Sequence, residues 1–345
     1  MSRSKRDRAA HAAGRLSRPV RLAAVAFAVL CLISLAAFCT GPSSVSVRDI
    51  LAFVAGSPVD ASAANIIVNI RLPRVVAGLV AGAALAVSGA LIQAVLDNPL
   101  ASPSVIGINS GAGLAVLAVS AAPMFYNNPP RELLPFVAFA GALIAAGLVF
   151  AVSARSGVSR LTVVLSGVAL NAVAGAGMNI VLLVAPNVYV GSSAYLVGGF
   201  SGVLMRNLVA PAALTVAGIA VACCLANRLN VLSLGREAAH GLGMRTVAVR
   251  VVALAVAALL AGCAVSFGGL VGLMVPHAVR RLAGHDNRAV IPLSALCGAA
   301  FTVFCDTVAR TAFAPYELPV GILLSLVGGP FFIYLILRGK GYRDE

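Results

Sequence analysis

Long uncharged stretches recur along this chain, and they constrain its fold more than any other feature. A helix needs about 20 apolar residues to cross the hydrocarbon core of a bilayer, and most of these stretches are that long. Only 10% of the residues are charged, whereas about 25% is usual in soluble domains. So few charges cannot solvate a globular surface, and we therefore predict an all-α polytopic membrane protein.

Two of the stretches are too long for one helix each. We expect Pro186 to end a span that begins at residue 161, and a short helix over 191–202 to follow at the outer surface. Residues 266–269 are expected to break the stretch 251–279, since irregular backbone at membrane depth is tolerated where protein buries it or where it lines a cavity. Ten transmembrane helices are thus predicted within residues 22–338. They are expected at 22–40, 75–96, 105–122, 133–154, 161–185, 207–227, 246–265, 270–282, 289–309 and 319–337.

The distribution of Lys and Arg predicts the orientation. With the N-terminus placed inside, 19 of the 25 basic residues fall on the inner side and 6 on the outer side. Cytoplasmic loops carry such an excess, so we expect both termini in the cytoplasm, as a basic tail over residues 1–21 and a short tail over 339–345. The net charge of +14 does not indicate nucleic-acid binding, because the basic residues are scattered in short loops without interleaved exposed aromatics.

The predicted cytoplasmic loop over residues 228–245 is amphipathic. The residues that would share one side of a helix are Val231, Leu234, Ala238 and Leu242. Polar residues, Glu237 among them, would occupy the other side. Three glycines (Gly235, Gly241 and Gly243) fit tight turns between short helical pieces. An element of this kind between two membrane helices offers a surface to a soluble partner.

Sequence patterns for ATP hydrolysis and for hydrolytic or metal chemistry are missing. A P-loop needs a Lys followed by Ser or Thr, but the chain has only Lys5 and Lys340, and Gly341 follows the second. HExxH and GxSxG do not occur, and the seven Cys lie in apolar segments without a CxxC pair or a His at zinc spacing. We predict no catalytic site, no metal site and no cofactor bound by this chain.

Polar side chains at membrane depth are candidates for a transport pathway. The candidates are Gln93, Asn109, Asn171 and Asn179. Each could equally bond across helices as a packing contact. Asp306 and Arg310 are four apart on one predicted helix and could neutralise each other at the outer interface. An ion-driven carrier would usually need carboxylates near the midplane, and only Asp306 comes close, which weakens the hypothesis of a secondary transporter.

A series of motifs in order along the chain carries a resemblance. The motifs are Arg71-Leu-Pro-Arg74, Val80 to Gln93, Asn98-Pro-Leu-Ala101, Leu165 to Leu170, Leu232 to Ala239, Val275 to Arg281, Glu317-Leu-Pro-Val-Gly321 and Gly329 to Tyr334. Together they resemble the FecCD family, the membrane subunits of type II ABC importers for iron–siderophore chelates and cobalamin. The resemblance covers nearly all of the predicted membrane region, from about Arg71 to Arg338.

This resemblance implies an importer in the bacterial inner membrane. Two permease subunits, identical or paralogous, would pair around a central pathway, each with ten spans. Two ATPase subunits would dock from the cytoplasm and use ATP with Mg²⁺, and a substrate-binding protein would dock from outside. The implied cargo is an iron–siderophore chelate moved by alternating access, with cobalamin and haem as alternatives. An ion-coupled carrier without an ATPase is the less favoured hypothesis.

The resemblance also implies roles for individual residues. The loop around Glu237 is similar to the segment that seats in the ATPase. The residues implied in this coupling are Leu232, Leu234, Gly235, Glu237, Ala238, Ala239 and Gly243. Arg71 and Arg310 match positions that meet acidic residues of the binding protein, and both lie on the predicted outer side. Tyr195 stands where many relatives have Trp, in the outer helix after the fifth span.

Overall fold

Helices make up all of the regular secondary structure in the part of the chain that the computed structural model describes, which is residues 3–41, 45–98, 101–122, 130, 132–155, 160–269, 275–312 and 316–338. The helices are α1 (Arg3–Cys39), α2 (Val47–Val54), α3 (Ala61–Ile66), α4 (Leu72–Leu96), α5 (Ile108–Ser120), α6 (Leu134–Arg155), α7 (Arg160–Val184), α8 (Asn187–Val197), α9 (Met205–Leu232), α10 (Arg236–Gly241), α11 (Thr246–Gly268), α12 (Val275–Ala283), α13 (Asn287–Thr311) and α14 (Val320–Arg338). A π-helical turn, Ile67–Arg71, joins α3 to α4, and a 3₁₀ turn, Pro103–Ile106, precedes α5.

Seven helices in the described residues are long and apolar enough to cross a membrane. They are Arg18–Cys39, Ala61–Leu96, Leu134–Arg155, Leu161–Val184, Met205–Leu232, Thr246–Gly268 and Asn287–Thr311. Shorter helices lie at the other three predicted positions: α5, α12 and the apolar part of α14 over Val320–Pro330. The 13 residues of α5 extend about 20 Å at 1.5 Å per residue, which is less than the roughly 30 Å of a bilayer core. Each predicted span therefore overlaps a helix, although residues 270–274 of the span predicted at 270–282 lie outside the described residues. Seven helices in the described part of the chain reach spanning length, so the number ten stays a prediction.

The centre of the bundle is formed by α4, α11 and α13. In their most apolar stretches 78%, 78% and 61% of the residues are buried, against 11% for α7 and 6% for α1. Lipid is as apolar as these side chains, so close helix association depends on small residues. A Cβ on Gly82 of α4 would lie 2.3 Å from the carbonyl oxygen of Gly298 on α13, and one on Gly298 would lie 2.4 Å from that of Gly82. Only glycine at both positions permits this approach.

A second glycine contact joins α5 to α6. A Cβ on Gly111 would lie 2.3 Å from that of Ala145, and one on Gly141 would lie 2.6 Å from the carbonyl oxygen of Gly111. Helix α7 approaches the 3₁₀ turn just as closely, because a Cβ on Gly167 would lie 1.8 Å from the carbonyl oxygen of Val105. These contacts attach α7 by one edge and leave most of its surface exposed.

The short helix predicted over 191–202 begins and ends earlier in the structure. Helix α8 begins at Asn187, directly after Pro186, and ends at Val197 because Gly198 takes φ 82°, a left-handed conformation that glycine adopts readily. The N–H of Gly199 then donates to the Gly268 carbonyl at 2.9 Å, and the N–H of Gly321 donates to the Gly198 carbonyl at 3.0 Å. The chain after α8 is thus held between the end of α11 and the start of α14.

Two further predicted boundaries shift. Helix α1 begins at Arg3, so the part of the predicted tail from residue 3 onward continues the first membrane helix; its many Ala and Arg residues favour this conformation. Helix α11 runs to Gly268 rather than to residue 265, and the break comes at Gly269, where φ is 69°. A Cβ on Gly269 would lie 2.2 Å from the Tyr195 carbonyl oxygen, so this close contact requires glycine.

The glycine contact between α4 and α13 generates a prediction. Gly82→Ala should lower the unfolding free energy by about 1–3 kcal/mol, the usual cost of overpacking, because the new methyl meets backbone rather than a movable side chain. Gly147→Ala is the matched control, since nothing lies within 4 Å of a Cβ on Gly147. Thermal unfolding in detergent should show a lower Tm for Gly82→Ala alone; equal Tm values for the two variants would contradict the contact.

Candidate coupling surface and polar clusters

The segment between α9 and α11 is two turns around a short helix, not one continuous amphipathic helix. Helix α9 continues through the first part of the predicted loop to Leu232, and residues 233–235 form a turn before α10. Gly235 has φ 101° and Gly243 has φ 76°, both in the left-handed region that L side chains rarely adopt. The glycine turns predicted at these two positions are confirmed, whereas Gly241 is the last residue of α10. Because these turns interrupt the helix, the residues before, within and after α10 do not share the faces that they would have on one continuous helix.

The residues implied in coupling divide into buried and exposed sets. Leu232 and Ala239 are buried, at 2% and 0% exposure, and they fix the segment against the bundle. Leu234 is 64% exposed, and Glu237, Ala238 and Gly243 are also exposed, with Gly235 partly so. Leu242, which we expected on the apolar side of the loop, is 68% exposed. An exposed patch with two leucines around one carboxylate is suited to contact another protein.

A cavity of about 370 Å³ opens beside this segment, between α9 and the start of α11. Arg228, Gly243 and Arg245 line its exposed part, and the buried side chains of Leu225 and Val249 line its depth. The cavity thus has two arginines at its opening and apolar side chains at its base. It can bind a partner's apolar side chain that has an acidic residue next to it.

Two of the predicted pathway residues meet at one serine. Asn171 on α7 donates through Nδ2 to the Ser104 carbonyl at 2.9 Å, and its Oδ1 accepts from Ser110 Oγ at 2.7 Å. Asn109 on α5 donates to Ser104 Oγ at 3.2 Å, while its buried Oδ1 has no hydrogen-bond partner among the described residues. Asn171 therefore forms hydrogen bonds between packed elements, which is the second of the two roles that its sequence position allowed, the first being to line a transport pathway.

The other two predicted pathway residues lie apart. Gln93 on α4 is buried, and its Oε1 has no hydrogen-bond partner in the described part of the chain. Asn179 is exposed on α7 beside Ile180. Tyr195 on α8 donates its hydroxyl to the Val265 carbonyl at 3.0 Å, so this polar group is directed at the end of α11.

A buried ionic cluster joins α4, α13 and the residues before α14 near the ends that we predict to be outermost. Arg74 donates through Nε to Asp306 at 2.9 Å and through Nη2 to the other carboxylate oxygen at 3.1 Å. Its Nη1 reaches Glu317 at 2.6 Å. Arg310 approaches Asp306 less closely, with Nε 3.8 Å away. Asp306 is therefore paired mainly with Arg74, not with Arg310 as the four-residue spacing suggested.

Arg71 and Arg310 point into the protein. They are 3% and 2% exposed. Arg71 donates to the carbonyls of Phe38, Cys39 and Val45 at 3.1–3.2 Å, and Arg310 donates to the Ala37 carbonyl. Both guanidiniums thus fasten the end of α1 to the bundle. Contact with a docked protein would require either side chain to leave these carbonyls, so the docking role stays a prediction.

Sequence analysis missed Arg74, the central cation of the cluster. The available signal was the motif Arg71-Leu-Pro-Arg74: two arginines three apart lie on one face of a helix, and a buried carboxylate requires a cation nearby. Asp306 and Glu317 were the carboxylates in question, and spacing along the sequence could not indicate that α4 would supply their partner.

Comparison with known proteins places this chain among transporter permeases, in agreement with its bundle of apolar helices. A sequence profile of the FecCD transport family matches residues 26–338. The Fe(3+)-citrate import system permease protein YfmE of Bacillus subtilis is 39% identical over 79% of this chain and 81% of its own length. The cobalamin import system permease protein BtuC of Halobacterium salinarum is 41% identical over 81% and 74% of the two chains. A solved ABC transporter in an inward-facing conformation has the same fold, with a TM-score of 0.81 and 24% identity over 92% of this chain and 99% of the other.

Removal of the central cation of the ionic cluster should destabilise the protein. Arg74→Gln leaves Asp306 with only the more distant Arg310, and breaking a buried ion pair typically costs about 3–5 kcal/mol. Arg206→Gln, which breaks an exposed pair with Glu132, should cost about 1 kcal/mol or less. Unfolding in detergent compares the two, and adding Asp306→Asn to Arg74→Gln should restore part of the loss. Equal losses for Arg74→Gln and Arg206→Gln would show that the cluster contributes no more than a surface pair.

Proposed function

The chain belongs to the FecCD transport family, and we propose that it moves an iron–siderophore chelate across the membrane by alternating access. It is an inner-membrane permease subunit of an ABC transporter, and separate subunits carry ATP hydrolysis.

The observation that carries the proposal is the exposed patch on α10. Glu237 is exposed on α10, and Leu234 and Leu242 are exposed in the turns on either side of it, so the three lie together between two long apolar helices. A soluble ATPase can bind there while the rest of the chain stays in lipid. The adjacent cavity at Arg228 and Arg245 offers a second contact for an acidic side chain of the ATPase.

Motion would pass from the ATPase through α10 to the bundle as a rigid-body displacement. Buried Ala239 favours this, because it packs α10 against the bundle between α9 and α11. When ATP closes the two ATPase subunits on each other, the attached helices would tilt together. This chain would contribute positioning and movement, with no bond chemistry.

We place the translocation pathway along the exposed surface of α7, where a second permease subunit, identical or paralogous, would complete it. Asn179 would line it, and Asn109 on the neighbouring α5 is a further candidate because its buried Oδ1 has no partner in the described chain. Gln93 also keeps a buried oxygen without a partner there, and it would belong to the pathway only if this extends from α7 to α4. The proposed topology has ten spans with both termini cytoplasmic, and α5 and α12 are the shortest of the ten helices. A substrate-binding protein would dock outside, near Arg71 and Arg310.

For the cargo, an iron–siderophore chelate is our first choice, and cobalamin and haem are the alternatives. The two permeases reported above belong to import systems for different cargoes, Fe(3+)-citrate and cobalamin. Both are metal chelates, which supports this cargo class. Uptake of a labelled ferric siderophore in competition with cobalamin and haem would choose among them.

Reconstitution tests the function together with the coupling surface. In proteoliposomes that contain the permease, its ATPase and its binding protein, uptake should depend on ATP. Glu237→Lys should reduce uptake and ATPase stimulation about fivefold or more, because it reverses a charge at the centre of the contact and a buried charge mismatch costs on the order of 1–3 kcal/mol. Glu132→Lys, a charge reversal at an exposed carboxylate in another loop, is the matched control.

Two results would contradict this account. Uptake by the permease alone, driven by an ion gradient, would support the secondary-transporter alternative. Equal ATP-driven uptake by Glu237→Lys and the wild type, with equal amounts in the membrane, would remove α10 from the coupling contact.

A further inference from the structure

An apolar groove on the outside of the bundle is not used by the proposed transport mechanism. Helices α1, α12 and α13 form its walls, and its volume is about 450 Å³. Every described residue that lines it is apolar, from Leu22 and Val29 on α1 to Ala278 on α12 and Phe304 on α13. Helix α1 has little of its surface buried, so the groove opens toward lipid.

The dimensions of the groove match one lipid chain. Its wall on α1 runs from Leu22 to Ile33, which corresponds to about 16 Å at 1.5 Å per residue. One leaflet of a bilayer has about half of the 30 Å hydrocarbon thickness. An acyl chain lying along α1 would therefore fill the groove from the membrane surface to the midplane.

An arginine crosses the mouth of the groove. Arg18 lies four residues before Leu22, on the same stripe of α1 that lines the groove, and its Nη2 donates to the carbonyl of Leu282 on the opposite wall at 3.4 Å. Arg18 is exposed. Guanidinium has five N–H donors in a geometry that suits phosphate, so donors remain for a second partner at this position.

The same end of the groove is rich in positive charge. Arg21, next to Leu22, and Arg281 on α12 are both exposed, and the sequence places five more basic residues before Arg18. Asp286 is the nearest acidic residue along the chain after α12. It accepts from Asn230 Nδ2 at 2.6 Å and from the N–H of Arg288 at the start of α13, so it is already engaged by other donors.

We propose that this groove binds an anionic phospholipid, with one acyl chain against α1 and α12 and the phosphate at Arg18 and Arg21. Basic pockets between membrane helices bind anionic head groups, and each Lys or Arg near the surface contributes to this attraction. The bound lipid would add to the contacts that α1 and α12 already make through the bond from Arg18 and through a shared apolar cluster that includes Leu22, Val279 and Ala283. This site lies apart from α10 and α7, so it does not depend on the proposed transport function.

Native mass spectrometry of the full chain in detergent tests the site. Phosphatidylglycerol and phosphatidylcholine with identical acyl chains are titrated separately. The wild type should bind one molecule of phosphatidylglycerol with higher affinity than it binds one molecule of phosphatidylcholine. Arg18→Gln combined with Arg21→Gln should weaken phosphatidylglycerol about 25-fold, or about fivefold per arginine, and leave phosphatidylcholine unchanged. Arg155→Gln, at an exposed arginine at the end of α6, should change neither lipid.

A second variant tests the acyl chain separately from the head group. Val29 is 42% exposed in the groove, so Val29→Phe can fill it without disturbing the core and should reduce retention of phosphatidylglycerol. Val216→Phe, on the exposed face of α9, is the control. Equal retention of the two lipids by the wild type would mean that the groove holds bulk lipid only. Unchanged retention in either the double arginine variant or Val29→Phe would also overturn the proposal.

Discussion

The approach of Gly82 to Gly298 sets the distance between α4 and α13, and the rest of the bundle is arranged around this pair. In lipid, helices gain little from burying apolar surface against each other, so contact depends on how closely their backbones fit. Ser88 on α4 then donates to the Ala257 carbonyl of α11 at 2.6 Å, which adds the third central helix. Because packed interiors do not deform continuously, movement of this centre would be movement of whole helices.

Helix α11 connects the two surfaces at which partners would act. Its first residue, Thr246, follows the turn after α10, and its last turn receives the hydroxyl of Tyr195 and the N–H of Gly199. A displacement at α10 would therefore pass through the turn at residues 242–245 into α11 and reach the segment after α8. The Arg74 cluster holds α4, α13 and Glu317 together at the end of the bundle that we predict to be outermost.

Much of the fold could be predicted from apolar stretches alone, because the bilayer requires long helices whose backbone bonds are satisfied internally. Each predicted span overlaps a helix in the described residues, and α7 does end before Pro186 and the outer helix. The bounds of that outer helix were wrong, since Gly198 takes a left-handed conformation that the sequence did not reveal. In the coupling loop, the turns expected at Gly235 and Gly243 were confirmed, whereas the one expected at Gly241 was not, because Gly241 is the last residue of α10.

The polar sites were less predictable than the spans, because side chains far apart in sequence decide their partners. Arg74 and Asp306 are 232 residues apart, and the four-residue spacing to Arg310 indicated the weaker pair. The coupling motif from Leu232 to Ala239 did not indicate which of its residues would be exposed. In the structure Ala238 is exposed, whereas its neighbour Ala239 is fully buried. The arrangement of exposed and buried residues comes from α10 packing on α9 and α11.

The central claim is that the ATPase binds the exposed face of α10, and photo-crosslinking in the assembled transporter tests it most directly. A photoreactive amino acid replaces Ala238 in one variant and Tyr316, which is 79% exposed near Glu317, in the other. The account predicts a crosslink from position 238 to the ATPase and none from position 316 to that subunit. A crosslink from position 238 to lipid or to the binding protein, with the ATPase captured from position 316 instead, would contradict it.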